Sequence, residues 1–233
     1  MVTGTYTIGK RVRFEAAREL DGVDASDSFT AEVVLTAREL TRPGFVCDFG
    51  ELAGLQEHVD AVLDHRDLNA VLADASDKGI AEHLHASAEA TLPGGARERL
   101  SEVRILTGRP VSVVEPTAVR FRARHWLCGL PAGHKCGRPH GHAYVVTLPF
   151  ELRGDQMLPI PGQLRAYLLA GFHQQVLNEV LDVNPTSEHL AAHLARWLTA
   201  RGLADPAGRP FIVRVSETES TWAQFAPDAG AST

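Results

Sequence analysis

The sequence predicts an α+β protein, an antiparallel sheet with helices on one face, laid out twice in tandem. Three observations predict it. The 233 residues read as two similar halves, and an internal repeat decides architecture before any single element does. Each half opens on paired β-rich runs. Each then carries two amphipathic helical stretches before closing in a further β run.

The first half opens with Tyr6-Thr7-Ile8 and Val12-Arg13-Phe14-Glu15-Ala16-Ala17-Arg18, the second with Val119-Arg120-Phe121-Arg122-Ala123-Arg124-His125. Apolar and polar residues alternate there, as a half-buried strand requires. Further β runs at 28–36 and 143–150 complete two antiparallel hairpins, each with a long irregular connection. Leu52, Leu55, Val59 and Val62 recur at spacings of three and four within 49–63. Leu164, Leu168, Phe172 and Val176 do the same within 163–180. Both patterns draw one apolar stripe along a helix. A second helix is expected at 77–90, with a counterpart at 186–201. Thr186 or Ser187 caps the latter, and Glu188 suits the positive end of its dipole. The halves close on β runs at 111–115 and 211–217. Residues 92–96, Leu-Pro-Gly-Gly-Ala, read as a loop, and the small polar tail 227–233 is expected to fray. A boundary after Glu115-Pro116 divides the chain into domains 1–117 and 118–233.

Composition excludes several classes of function. Lys and Arg number 23 against 29 Asp and Glu, a net charge of −6 without a basic stripe, which argues against a nucleic-acid partner. No apolar run approaches the ~20 residues of a membrane span. The opening Met1-Val2-Thr3-Gly4-Thr5-Tyr6-Thr7 has neither a basic nor an apolar signal segment. Three cysteines, Cys47, Cys128 and Cys136, are too few for a disulfide scaffold and suit a reducing compartment. A cytoplasmic protein is expected.

The 11 histidines stand out. In Gly133-His134-Lys135-Cys136-Gly137-Arg138-Pro139-His140-Gly141-His142, His140 and His142 sit two apart at the start of a strand and therefore face the same way. His125, ending the paired strand, supplies a third imidazole. Three histidines with an open fourth position describe a catalytic zinc, Zn2+. Cys136, beside Lys135 in a glycine-rich loop, has the surroundings of a reactive thiol. Cys128 and Cys47 read as filler, and His134 as a polar neighbour.

These residues, with Asn184-Pro185-Thr186-Ser187-Glu188 and the late Glu217-Thr218, resemble the 6-pyruvoyltetrahydropterin synthase / 6-carboxytetrahydropterin synthase family. The nearest likeness is to the queuosine-pathway 6-carboxytetrahydropterin synthases. The resemblance covers nearly the whole chain, once per half. It implies tandem tunnelling-fold (T-fold) domains, zinc on His125, His140 and His142, Cys136 as a catalytic base and Glu217 as the pterin anchor. Glu115 is the first-half counterpart of Glu217. Thr186 is a second substrate-pocket candidate, with helix capping as its plainer role. The implied substrate is 7,8-dihydroneopterin triphosphate, and Lys135, Arg138 and Arg124 are cations that can meet phosphates. The carboxy product is expected. The pyruvoyl product and a non-catalytic pterin- or purine-binding protein are the alternatives.

The halves depart from the family pattern in opposite ways. The first keeps Gly44-Phe45-Val46-Cys47-Asp48-Phe49 and Asp64-His65-Arg66-Asp67-Leu68-Asn69, but has Arg18 where the second has His125. Asp27 and Phe29 stand near the places of His140 and His142. The second half holds the zinc ligands and Cys136, with Gln174 where the family histidine belongs. Asp64 and His65 of the first half are thus expected to serve the second half's metal. The resemblance further implies a homo-oligomer, a trimer of two-domain chains.

Overall fold

The structure, a computed structural model, describes residues 2–106, 116–152 and 156–228, side chains 24–27 excepted. The chain forms two compact units, one of Gly9–Thr36 and Cys47–Pro110, the other of Met1–Ile8, Ala37–Val46 and Val111–Thr233. No helix among the described residues is long and apolar enough to cross a membrane.

The first of these units holds most of β1 (Gly4–Leu20) and β2 (Val23–Ala37), which are joined by Asp21-Gly22, with φ of 53° and 79°. A long connection is expected here from the sequence. An Asp-Gly pair instead takes the left-handed backbone of a tight hairpin turn, so both strands run on to the turn itself. A 3-10 turn, Phe49–Leu52, leads into α1 (Ala53–Val62). The short β3 (Arg66–Asp67), α2 (Leu68–Val71), α3 (Asp77–Thr91), α4 (Gly94–Arg97) and β4 (Leu100–Leu106) follow. The strand order is β4-β2-β1, with β4 antiparallel to β2 and β3 parallel to β1 at Ala16 and Ala17. Leu55 and Val59 of α1 and Ile80, Leu84 and Ala88 of α3 are buried. A fully buried Leu or Ile of this kind contributes roughly 1.5–3 kcal/mol. Where a loop is expected at 92–96, the chain instead makes the single turn of α4, with Pro93 at its N-cap. The strand expected at 111–115 lies outside the described residues.

In the second unit, β5 (Ala118–His125) and β6 (His140–Pro149) form a hairpin whose long connection is as expected. After them come the short β7 (Met157–Leu158), α5 (Gly162–Gly171), α6 (Leu177–Val180), α7 (Ser187–Thr199), β8 (Val213–Ser216) and β9 (Thr221–Pro227). The strands are ordered β9-β8-β6-β5, every neighbour antiparallel. Leu164 and Leu168 of α5 and Leu190, Leu194 and Leu198 of α7 form the core under the sheet. The single helix expected over 163–180 is broken after Gly171. Gln174 takes a φ of 62° and its backbone N–H donates to the Arg122 carbonyl at 2.6 Å, which draws the chain onto the edge of β5.

The same local design recurs in both units. His65, at φ 55°, donates its backbone N–H to the Glu15 carbonyl at 2.6 Å, as Gln174 does to Arg122. The Asn69 side chain accepts from the Glu19 amide at 2.7 Å and donates to its carbonyl at 3.0 Å. Asn178 brackets Trp126 in the same manner, at 3.0 and 2.8 Å. Ser76 caps α3 and Thr186 caps α7.

Candidate metal centre and active site

Strand alternation positions the metal candidates. On β5 the residues alternate between exposed arginines and buried Phe121, Ala123 and His125, so His125 points to the helix side. His125 pairs in register with His140, and Ala123 with His142. One potential ligand nitrogen from each of His125, His140 and His142 lies within 4.8 Å of the others. Among the described residues this is the group of three or more such side chains that fits a metal.

The hydrogen bonds settle which nitrogens converge. His125 Nδ1–H donates to the Pro185 carbonyl at 2.8 Å, and His140 Nδ1–H to the Arg138 carbonyl at 2.7 Å. A carbonyl can only accept, so both rings carry a proton on Nδ1, which leaves Nε2 as the atom each ring can offer a metal. The two Nε2 atoms stand 3.1 Å apart, close to the separation that two Zn–N bonds of ~2.0–2.1 Å impose in a tetrahedral site. A backbone acceptor behind each ring is the support that metal-bound histidines use. The donor set therefore fits a metal ion. His125 is 1 % exposed. Burial holds its pKa and that of His142 below the usual imidazole value, against the opposing charge of Glu217.

Glu217, just after β8, completes one wall. Its Oε2 lies 3.9 Å from His142 Nε2, and its Oε1 accepts from Ser187 Oγ at 2.8 Å. Thr186 spends its hydroxyl on structure: it accepts from the His189 amide as the α7 cap and donates to the Gly44 carbonyl at 2.9 Å. Beside it Glu188 is 3 % exposed and accepts from the Val46 amide at 3.0 Å. Burial pushes its pKa up to about 8, so it is largely protonated at neutral pH. Sequence reasoning missed Glu188. Its place in the first helical turn had a sufficient explanation in the dipole, and only tertiary packing reveals the burial.

Cys136 is half-buried in a 3-10 turn, Lys135–Gly137, that precedes β6. Its amide donates to His134 Nδ1 at 3.2 Å, the polar contact expected of that histidine. Cys47 is buried, but Cys128 is exposed rather than filler, with its backbone held by the Asn184 side chain. Lys135 and Arg138 are exposed. Arg124 lies on the opposite face of β5 from His125, where with Arg122, Gln174 and Gln175 it lines a cavity of about 470 Å³.

Asp64 and His65 belong to the first-half unit. Asp64 Oδ1 accepts from the Glu15 amide at 2.9 Å and Oδ2 meets His65 Nδ1 at 2.8 Å. The Glu15 amide, followed by His65, holds the Asp64 pKa below the usual carboxylate value. The carboxylate thus fixes the Nδ1–H tautomer and leaves Nε2 free to exchange a proton. The His65 side chain is 79 % exposed, and its left-handed φ of 55° is uncommon for a non-glycine residue.

A duplicated α+β unit with convergent imidazoles at a strand end defines a tandem tunnelling-fold protein. The family model for 6-pyruvoyl tetrahydropterin synthase matches residues 7–119 and again 116–228. The chain therefore belongs to that family. Among solved structures it is similar to 6-pyruvoyl tetrahydropterin synthase of Caenorhabditis elegans, at 15 % identity over 46 % of this chain and 92 % of that one, TM-score 0.40. An uncharacterized protein from Wolinella succinogenes matches at 20 % identity over 94 % of this chain and 97 % of that one, TM-score 0.25. 6-Pyruvoyl tetrahydropterin synthase of Plasmodium vivax matches at 10 % identity, 95 % and 99 % coverage, TM-score 0.22.

Proposed function

We propose that this protein is a zinc-dependent lyase that converts 7,8-dihydroneopterin triphosphate to 6-carboxy-5,6,7,8-tetrahydropterin, releasing acetaldehyde and triphosphate, for queuosine or deazapurine synthesis. The observation that carries it is the meeting of His125, His140 and His142 beside Glu217, with two of the rings backed by carbonyls. Three imidazole nitrogens with an open fourth position suit a catalytic zinc. Zinc held there supplies Lewis acidity toward the vicinal hydroxyls of the pterin side chain.

The remaining chemistry falls to the chain itself. Glu217 offers a carboxylate to the amidine-like edge of the pterin, a paired and charge-assisted contact. Ser187 holds that carboxylate in place, and Thr186 ties Gly44 to the start of α7. Cys136, as thiolate, takes the carbon-bound proton of the side chain, and His65, oriented by Asp64, exchanges the second proton. In this division of labour domain 118–233 supplies the metal and the thiol, and domain 1–117 supplies the acid–base pair. Three chains assemble, which brings six T-fold domains together.

Incubation with 7,8-dihydroneopterin triphosphate, mass identification of the product and metal analysis test the proposal on one preparation. The carboxy product, about one zinc per chain and a particle of three times the 25.2 kDa chain mass are expected. A pyruvoyl product moves the protein to the other branch of its family. No turnover and no metal make it a pterin-binding protein instead.

A further inference from the structure

The place of the metal has a counterpart in the first-half unit, and a side chain fills it. In the second-half unit, His125 ends the Phe121–His125 run and donates to the carbonyl of Pro185, the residue before the α7 cap. In the first-half unit the matching run ends at Arg18. Its Nη1 donates at 3.0 Å to the carbonyl of Ala75, the residue before the α3 cap. Where Ser187 follows the cap in one copy, Asp77 follows it in the other, and Arg18 Nη1 meets Asp77 Oδ1 at 2.7 Å. The guanidinium carbon lies 4.8 Å from the centre of the Phe29 ring, and Phe29 stands near the place of His142. The Arg18 side chain is 8 % exposed.

We infer that the Arg18 guanidinium permanently replaces the metal of the first repeat, a tethered cation that balances Asp77 and keeps that repeat folded without an ion. Arginine has no lone pair to offer and stays charged at any working pH. Phe29 supplies a ring face that attracts a cation but no donor atom. A divalent ion brought to this position meets a fixed positive charge and finds none of the three imidazoles. The first repeat is thereby a metal-free partner by construction, and the chain holds a single metal. This stoichiometry rests on the metal reading of the second repeat, whereas the role of Arg18 does not.

Metal analysis and thermal unfolding of the full chain test it. The parent protein is expected to hold one zinc per chain, and none after the double substitution His140→Ala, His142→Ala. Arg18→Met should leave the metal content unchanged and lower Tm by roughly 3–8 °C, as loss of a buried charge contact in a chain of this size does. Arg18→Lys, which keeps the charge, should recover part of that loss. A second zinc that survives the double substitution overturns the inference, and so does an Arg18→Met protein with the parent Tm. No metal in the parent together with a destabilised Arg18→Met would refute the zinc-lyase proposal while supporting the role of Arg18.

Discussion

Glu188 lies at the first turn of α7, 3 % exposed, with the Val46 amide as a donor. Its pKa of about 8 stands above the ordinary 4.5, with burial the largest cause. Folding therefore takes up a proton between those values. The stability this gives is complete below about pH 4.5 and is lost as pH rises toward 8. Glu188→Gln, a neutral isostere, should raise Tm at pH 8 relative to the parent and change it little at pH 5. An equal loss of Tm at both pH values would mean that the carboxylate form is the one the fold requires. At this scale the convergence of His125, His140 and His142 was legible, because two histidines two apart on a strand must share a face. Glu188 was not, because a carboxylate in a first helical turn looks the same in sequence whether it faces water or the core.

Elements were legible where periodicity is strong. The predicted starts of α3 and α7 agree with Asp77 and with the Thr186 cap to within a residue. The break after α5 was hidden because Phe172 and Val176 continue the helical spacing, while the backbone turns at Gln174 to bond β5. The α1–α3 pair carries a contact with a consequence for pH. His58 and His83 face each other with Nε2 atoms 2.9 Å apart. Burial, followed by the charge of His83, holds the His58 pKa below the ordinary 6.5. The unfolded chain thus binds a proton that the folded chain resists. The stability present above about pH 6.5 is lost as pH falls below that value through the lowered pKa of the folded state. In thermal unfolding, His58→Gln should show a smaller fall in Tm between pH 7.5 and 5.5 than the parent. An identical fall would remove this pair from the acid sensitivity of the protein.

At the scale of the molecule, duplication explains what each repeat has kept. Two family-model matches together span residues 7–228, yet the imidazole triad occurs in the second repeat and the Asp64–His65 pair in the first. In the places vacated, Arg18 and Gln174 keep the local hydrogen bonds of the residues they replace, to Ala75 and Arg122. The repeat was legible in the sequence, because motif residues can be compared position by position. The packing that lets a guanidinium settle in a metal's place was not, since it depends on Ala75, Asp77 and Phe29 converging from three separate segments. The central claim is that the second repeat's metal works with the first repeat's imidazole. The most direct measurement is the turnover rate of His65→Ala, read alongside its zinc content. A rate lowered by about 10²–10⁴-fold, the range expected for loss of a general acid–base group, with zinc retained at the parent level, is the predicted result. A full rate in that variant would contradict the account.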